Sequence, residues 1–264
     1  MKVEGLSKKD LNEYCKTLGI DVGKMVKTDL IQAVYDHRRK VIDEARLDGS
    51  CFELLKKTIE DLADKYAENL DLKIVDRKAE MKSDDNSHYL IYRVLGISYE
   101  EGSLIDEYQN TGRFLYKYAG AFLEEAAILC LYYSNREGGR TLVENNIGKR
   151  PRTFEIDFLN GNDAIELKWR DATTDGDHIT KEHTRVQVIK SHGFRPIRVM
   201  FYYPQRSQAI KIQATLKTLY AGVDGQYYAG DDAWDYIERI SGYDLKAILT
   251  GIAEKRDEEK HYDQ

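Results

Sequence analysis

Three charged side chains near the middle of the sequence are of the types that hydrolyse phosphodiester bonds. Asp157 is followed by Glu166, and Lys168 comes two residues after that glutamate. A metal ion held by carboxylates polarises a phosphate, lowers the pKa of a bound water and offsets charge on the leaving oxygen. An ammonium group beside the attacking water orients it, helps to deprotonate it or stabilises charge in the transition state. Together these residue types predict metal-dependent cleavage of a nucleic acid.

The segments that carry these residues predict a β-hairpin. Residues 153–158 and 163–169 read as strands, and Asn160-Gly161 between them is typical of two-residue turns. That turn pairs Leu159 with Asn162 and makes Asp157 and Glu166 diagonal neighbours, about 7–8 Å apart. The two faces then consist of Phe154, Ile156, Ile165 and Leu167 towards the core, and Glu155, Asp157, Glu166 and Lys168 away from it.

The spacing of these residues alone is weak evidence for a nuclease. Because 33% of the residues are charged, the same pattern arises by chance. Asp71-Leu72-Lys73 and Asp244-Leu245-Lys246 also fit it, although neither lies in an alternating hairpin. The specificity comes from the hairpin context. The alternative interpretation is a structural hairpin with a solvated acidic face and no catalytic role.

The elements around the hairpin predict an α/β sandwich with added helical segments. Apolar spacing favours a buried helix over residues 112–133, and a helix over 51–69 with a polar loop at 82–87. Further helices are expected at 178–192, 207–221, 232–240 and 244–255, and further strands at 141–145 and 195–203. The predicted order is therefore helix, strands, helix, strand, helix.

The N-terminal region predicts two short amphipathic helices within residues 6–37, followed by the basic run His37-Arg38-Arg39-Lys40. This segment resembles a SAP-like helix-loop-helix, a small module often found binding DNA. An ordinary helical hairpin fits the pattern equally well. We expect residues 1–48 to form this module and residues 49–264 to form a nuclease domain.

Charge and composition agree with an ordinary globular protein that contacts DNA through its middle region. The net charge is −6, but from Ala164 to Lys211 nine Lys and Arg face five Asp and Glu, whereas from Asp224 to Gln264 five face eleven. We see no membrane-length apolar run and no signal peptide, and we expect a cytoplasmic prokaryotic protein that does not bind membranes. The three cysteines are predicted to be reduced thiols.

The run FEIDFLNGNDAIELKWRDATTDGDH resembles the active-site region of type II restriction endonucleases of the PD-(D/E)xK superfamily. The resemblance implies a core of that superfamily, with a mixed central sheet flanked by helices, over about residues 112–220. The runs HYLIYRVLGISYEEGSLIDEYQNTGRFLYKYAGAFLEEAA and ELKWRDATTDGDH are similar to ApaLI-like restriction enzymes. The resemblance implies that Mg²⁺ is bound by Asp157, Glu166 and Leu167 and that Lys168 is the active-site lysine. Ile156 replaces the proline of the motif. The possible additional acids are Glu155, Glu124 and Glu125.

The region after the hairpin offers side chains that suit DNA contact. Arginine pairs with guanine edges and aspartate accepts from cytosine, so a role in reading the major groove is chemically reasonable. The candidate DNA-binding residues are Arg170, Thr173, Thr174, Asp175, Asp177 and His178 in the loop, and Lys181, Arg185 and Lys190 on the next helix. The alternatives are a helix cap at Asp177, a solvated helix face, and a zinc site using His178 and His183.

We therefore expect a restriction endonuclease that acts on duplex DNA as a homodimer, because cutting both strands of a palindrome requires two active sites related by a twofold axis. A repair or junction-resolving nuclease with the same core is one alternative. A DNA-binding protein without catalysis is another.

Overall fold

A mixed five-stranded sheet lies at the centre of the computed structural model, which describes residues 3–170 and 176–262. The strands, in the order in which they lie side by side, are β1 (Gly139–Glu144), β2 (Thr153–Asn160), β3 (Asp163–Lys168), β4 (Arg195–Met200) and β5 (Gln226–Ala229). The pairs β1–β2 and β2–β3 are antiparallel, whereas β3–β4 and β4–β5 are parallel. The predicted α/β class with a mixed sheet flanked by helices is confirmed.

The largest apolar core lies between one face of this sheet and four helices. These are α3 (Cys51–Met81), α5 (Tyr99–Ser134), α8 (Asp231–Ser241) and α9 (Leu245–Tyr262). Helix α5 begins 13 residues earlier than predicted. The cause is a capping box at its start, in which Ser98 accepts from the Glu101 N–H and Glu101 accepts from the Ser98 N–H. Gly112 continues the helix and does not end it.

The opposite face of the sheet is covered by α6 (Gly176–Ser191) and α7 (Ser207–Ala221). In α6, Val188 and Ile189 pack against Phe154, Ile156 and Ala164. The sequence missed β5, because four residues are too short to show alternation.

The remaining helices precede the sheet in the chain. They are α1 (Lys8–Thr17), α2 (Lys27–Asp48) and α4 (Tyr89–Val94). Helices α1 and α2 enclose an apolar cluster of their own, which contains Leu11, Cys15, Leu30 and Val34. Helix α2 continues past residue 37 to Asp48, and its Ile42 belongs to the main core. Within the described residues, no helix has the length and apolar character needed to cross a membrane.

The turn of the β2–β3 hairpin lies one residue later than predicted. Asn160 pairs with Asp163, so the turn residues are Gly161 and Asn162, and Gly161 has a φ of +59°. Glycine with positive φ at the first central position is the pattern of a type II′ turn. Leu159 therefore pairs with Ala164, a register that differs from the predicted one by two residues. A shift of two moves no side chain to the other face.

A bulge in β2 changes the side of the sheet that its side chains face. The predicted division of side chains between the two faces of the hairpin is therefore wrong. Between the pairs Gly139–Leu159 and Thr141–Ile156, β2 advances three residues while β1 advances two. Such an extra residue reverses the alternation of side chains along the strand. Phe154 and Ile156 therefore pack on the α6 side of the sheet, whereas Ile165 and Leu167 pack on the α5 side.

Candidate active site

The structure brings Asp157, Glu166 and Lys168 together where β2 and β3 separate. Lys168 Nζ lies 3.8 Å from Asp157 Oδ2 and contacts Glu166 Oε1. The backbone pairing of the two strands runs only as far as Phe158 and Ile165. Both carboxylates are buried, with 6% of Asp157 and 3% of Glu166 exposed. A solvated acidic face, the alternative interpretation of the hairpin, is therefore wrong.

Where the backbone pairing of β2 and β3 has ended, the Asp157 side chain accepts the hydrogen bond that a backbone carbonyl would otherwise accept. Its Oδ2 accepts a hydrogen bond from the Leu167 N–H at 2.8 Å. Burial, together with the negative charge of Glu166, raises the pKa of Asp157 to about 7, although Lys168 opposes the shift. The carboxylate at this position is thus held in a site that disfavours negative charge unless a cation is close.

Glu166 is surrounded by cations on the α6 side of the sheet. Its Oε1 contacts both Lys168 and Arg185. Burial alone raises the pKa of Glu166, but the charges of Lys168 and Arg185 outweigh it and lower that pKa below its ordinary value. The second oxygen, Oε2, is buried and has no hydrogen-bond partner among the residues that the structure describes. A buried charged acceptor is costly when unpaired, so this atom is suited to a ligand.

Lys168 joins the two carboxylates. Burial lowers the pKa of a lysine, but Glu166 and Asp157 reverse this effect and raise the pKa of Lys168 above its ordinary value. Its Nζ also donates to the main-chain oxygen of Leu167 at 3.0 Å. Lys168 is therefore a fixed positive charge in this structure and not a neutral amine.

The donor set fits a hard divalent cation that keeps some of its water. Mg²⁺ is usually bound through one or two carboxylates and completes its shell with waters and substrate phosphates. Asp157 and Glu166 supply carboxylates, and Leu167 can supply only its main-chain carbonyl. In the described part of the chain, no three His, Cys, Asp or Glu side chains converge as a complete metal cage. A site that shares its ion with substrate needs no such cage.

A second acidic group lies beside Asp157 and is held by Arg140, which the sequence analysis missed. Arg140 is 2.7 Å from Glu155, 3.3 Å from Glu124 and 3.8 Å from Asp157 Oδ1. Glu124 reaches this place from α5 and Glu155 from the bulged part of β2. Glu125, the other candidate acid, instead accepts a hydrogen bond from Tyr66.

Two buried carboxylates and a lysine meet at the end of the hairpin, and a comparison with protein families shows which class of protein carries them. The ApaLI-like restriction endonuclease family matches residues 32–254, which include every residue of the site. The chain belongs to this family. The resemblance to ApaLI-like restriction enzymes is thereby confirmed, and nuclease activity on DNA follows from membership. Neither the curated proteins nor the solved structures gave a match.

The residues predicted to bind DNA in this restriction endonuclease fall into several groups. Arg170 stacks on Trp169 and Tyr116, with its guanidinium 5.4 Å and 5.3 Å from the ring centres. Lys181 is exposed on α6, and Lys190 pairs with Asp224 at 3.1 Å. Thr173, Thr174 and Asp175 lie outside the described residues, as do the side chains of Asp177 and His178.

Arg185 does not share the exposed side of α6 with Lys181, as the spacing suggested. Its guanidinium turns inward to Glu166 and donates to the main-chain oxygen of Glu155. The helical period places residue 185 on the side facing the sheet, where the buried Glu166 carboxylate attracts the guanidinium. Arg185 therefore holds the Glu166 carboxylate in position.

A buried ionic network lies next to Glu166 on the same side of the sheet. Arg198, directly opposite Glu166 in the β3–β4 pair, is 3.4 Å from Glu182 of α6. Tyr220 of α7 donates to the same Glu182 oxygen at 2.8 Å. All three side chains are buried. The sequence carried no signal for this network, because isolated charges on three elements give no periodic pattern.

Proposed function

We propose that the protein is a type II restriction endonuclease that hydrolyses duplex DNA at a specific site, with Mg²⁺ bound by Asp157, Glu166 and the main chain of Leu167. The fold core would then be that of the PD-(D/E)xK superfamily, which the order α5, β1–β3, α6 and β4 supports. The observation that carries the proposal is the meeting of two buried carboxylates and a lysine at the open end of the hairpin.

The unpartnered Oε2 of Glu166 supports the metal part of the proposal. When bound, Mg²⁺ would polarise the phosphate and make a bound water more acidic. Arg185 holds Glu166 in place from α6, and the Leu167 N–H holds Asp157 from β3. The two acids are thus oriented before substrate arrives, which lowers the reorganisation needed at the reaction step.

Lys168 would act as a fixed cation on the reacting phosphate. Its raised pKa keeps the ammonium charged at neutral pH, so it stabilises the negative charge that develops on the phosphate oxygens and orients the attacking water. Its Nζ contacts Glu166 and lies 3.8 Å from Asp157, so the two acids hold the ammonium group in place.

The substrate is proposed to be a palindromic duplex, cut by a homodimer in the prokaryotic cytoplasm. Two identical sites related by a twofold axis match the symmetry of a palindrome. The exposed Lys181 on α6 and the stacked Arg170 after β3 supply positive charge for phosphate or base contact.

Incubation of a mixed-sequence plasmid with the protein and Mg²⁺ tests the proposal. Discrete fragments with one shared end sequence are expected from wild type. Asp157→Asn and Glu166→Gln should lose cleavage because each removes a metal-binding charge. Asp163→Asn is the matched control, since it removes a β3 carboxylate that pairs with Arg195 at the hairpin end.

Other outcomes separate the competing functions. Smears or cuts confined to branched DNA would indicate a repair or junction-resolving nuclease with the same chemistry. Shifted but intact DNA in Mg²⁺ would indicate binding without catalysis. Full cleavage by Glu166→Gln would contradict the assignment of the site.

A further inference from the structure

The long helix α5 has one side with a continuous apolar repeat, but the sheet covers only half of it. Residues three and four positions apart lie on the same side of a helix. In α5 this side consists of Ile105, Tyr108, Gly112, Tyr116, Ala119, Leu123, Ala126 and Cys130. Leu123, Ala126 and Cys130 are buried in the main core. The first half of the same side extends beyond the sheet.

That first half exposes large apolar side chains to solvent. Five of them, each between 52% and 70% exposed, form what we call the α5 stripe: Leu104, Ile105, Tyr108, Leu115 and Tyr116. Contiguous exposed apolar surface of this kind marks interaction sites in globular proteins. Side chains in a core-facing repeat that find no core point to a partner that is absent from the single chain.

The neighbouring helices pack on other sides of α5. Helix α3 meets it through Arg77 and Asn110 at 3.1 Å and through Lys78 and Glu107 at 2.8 Å. Helix α4 meets it at Gly102, where the ring of Tyr92 packs closely. None of the α5 residues in these contacts belongs to the α5 stripe. Within the described residues, the stripe is therefore left open.

We propose that the α5 stripe is the surface on which a second copy of this chain packs, helix against helix about a twofold axis. The inference rests on the proposed function for the need of two active sites. Gly112 lies on the same side of α5, between Tyr108 and Leu115 of the stripe, and a Cβ placed there would meet nothing within 4 Å. A position without a side chain lets two helices approach closely, and a twofold axis brings the same residue from both copies together.

The position of the stripe favours a second copy over another occupant. Its last residue, Tyr116, lies 5.7 Å from the Trp169 ring, and Trp169 directly follows Lys168. A copy packed on the stripe therefore lies next to the active site and carries its own site by symmetry. Apolar side chains near the acidic first turn, with Glu100 and Glu101, do not suit the phosphates of DNA.

The exposed area is sufficient for such an interface. The five side chains offer roughly 100 Å² of apolar surface each, or about 1,000 Å² over two copies, which is the lower bound for a specific interface. Surrounding side chains on α5 add to this area. The expected dimer is therefore specific but depends on each large side chain of the stripe.

Sedimentation velocity of the full-length protein, without DNA or metal, tests the interface. Wild type should dimerise at micromolar concentration. Ile105→Asp places charge in the interface, and Gly112→Leu blocks close approach of the helices, so each should weaken dimerisation by tenfold or more (~1.4 kcal/mol). Leu47→Asp is the control, because Leu47 is 89% exposed on α2, away from the stripe. It should dimerise like wild type.

Gly112→Leu also separates a loss of dimerisation from a loss of folding. Leucine has a higher helix propensity than glycine, and no neighbour obstructs a Cβ at this position, so thermal stability of the dilute protein should be unchanged or raised. A monomeric wild type, or normal dimerisation by both stripe variants, would overturn the inference. So would variants that stay dimeric and lose DNA binding. A dimer that does not cut DNA would contradict the proposed function and leave the interface standing.

Discussion

The environment of Asp157 makes the stability of the protein depend on pH, because burial and the charge of Glu166 raise the pKa of this carboxyl to about 7. An aspartate in the unfolded chain titrates near pH 4 (~3.9). Between these values the folded protein binds more protons than the unfolded chain. The stability that this carboxyl contributes is therefore present below about pH 4 and is lost as the pH rises through about 7.

Replacing Asp157 with asparagine removes this penalty. Without metal, Asp157→Asn should equal or exceed wild type in free energy of unfolding at pH 5 and should exceed it by about 2–4 kcal/mol at pH 8. Urea unfolding in the presence of a chelator measures the difference. Mg²⁺ should then stabilise wild type at pH 8 more than the variant. A difference that does not change with pH would contradict the raised pKa.

Lys168 and Lys181 differ in burial, and this difference separates catalysis from binding. Lys168→Ala removes a charge from the reacting phosphate, so turnover at saturating DNA should fall by about 100-fold or more. Lys181→Ala removes an exposed charge on α6, so affinity should fall modestly while turnover stays the same. Single-turnover cleavage and DNA titration provide the two readouts. Equal turnover in Lys168→Ala and wild type would exclude the proposed role.

The sequence predicted the candidate site residues that lie close together along the chain. It did not predict those that reach the site from other elements. Asp157, Glu166 and Lys168 share one hairpin, so local alternation was enough to bring them together. Arg140 and Arg185 reach the site from β1 and α6, and no short-range pattern links them to the hairpin. The inward turn of Arg185 depends on the charge of Glu166, which a helical pattern does not include.

At the scale of elements, the buried network of Glu182, Arg198 and Tyr220 joins α6, β4 and α7 beside the site. Removal of one member leaves a buried charge without its partner. Glu182→Ala should therefore lower the free energy of unfolding by about 3–5 kcal/mol. The control is Lys190→Ala on the same helix, which breaks an exposed pair and should cost less than about 1 kcal/mol. Similar losses in the two variants would show that the network adds nothing to stability.

Element type was more predictable than element length or side-chain orientation. The hairpin, α6 and α7 follow from local periodicity, whereas α3 and α5 continue well beyond their apolar segments because they pack against each other. The bulge in β2 adds a residue without changing the alternating pattern of the sequence. Its effect on the faces of Phe154 and Ile156 could be seen only in the strand pairing.

At the scale of the whole molecule, helix α2 connects the N-terminal helices to the nuclease. It lies within the predicted N-terminal module, residues 1–48, yet it passes from one apolar cluster to another. Its first half supplies Leu30 and Val34 to the N-terminal cluster, and Ile42 in its second half lies in the main core. Arg46 donates to the main-chain oxygen of Ser134 at 2.8 Å, at the end of α5.

Two truncations therefore should behave differently. The fragment 37–264 lacks the whole N-terminal apolar cluster but retains Ile42 and Arg46. Its free energy of unfolding should therefore stay within about 1 kcal/mol of the full-length value. Residues 49–264 also lose a buried isoleucine and the donor to the α5 carbonyl, and should be less stable by at least about 3 kcal/mol. Urea unfolding compares them. Equal stability of the two pieces would place the boundary at residue 48 after all.

The longer fragment then tests whether the N-terminal helices bind DNA. Without Lys8, Lys9 and Lys27, fewer counterions are displaced, so residues 37–264 should bind DNA more weakly and with a smaller dependence on salt. The fragment should still bind and cut at the same DNA sequence, because the candidate base-contacting residues follow β3 in the nuclease core. Affinity measured over a series of salt concentrations gives both quantities. If the folded fragment binds as tightly as the full chain at every concentration, α1 and the first half of α2 make no contact with DNA.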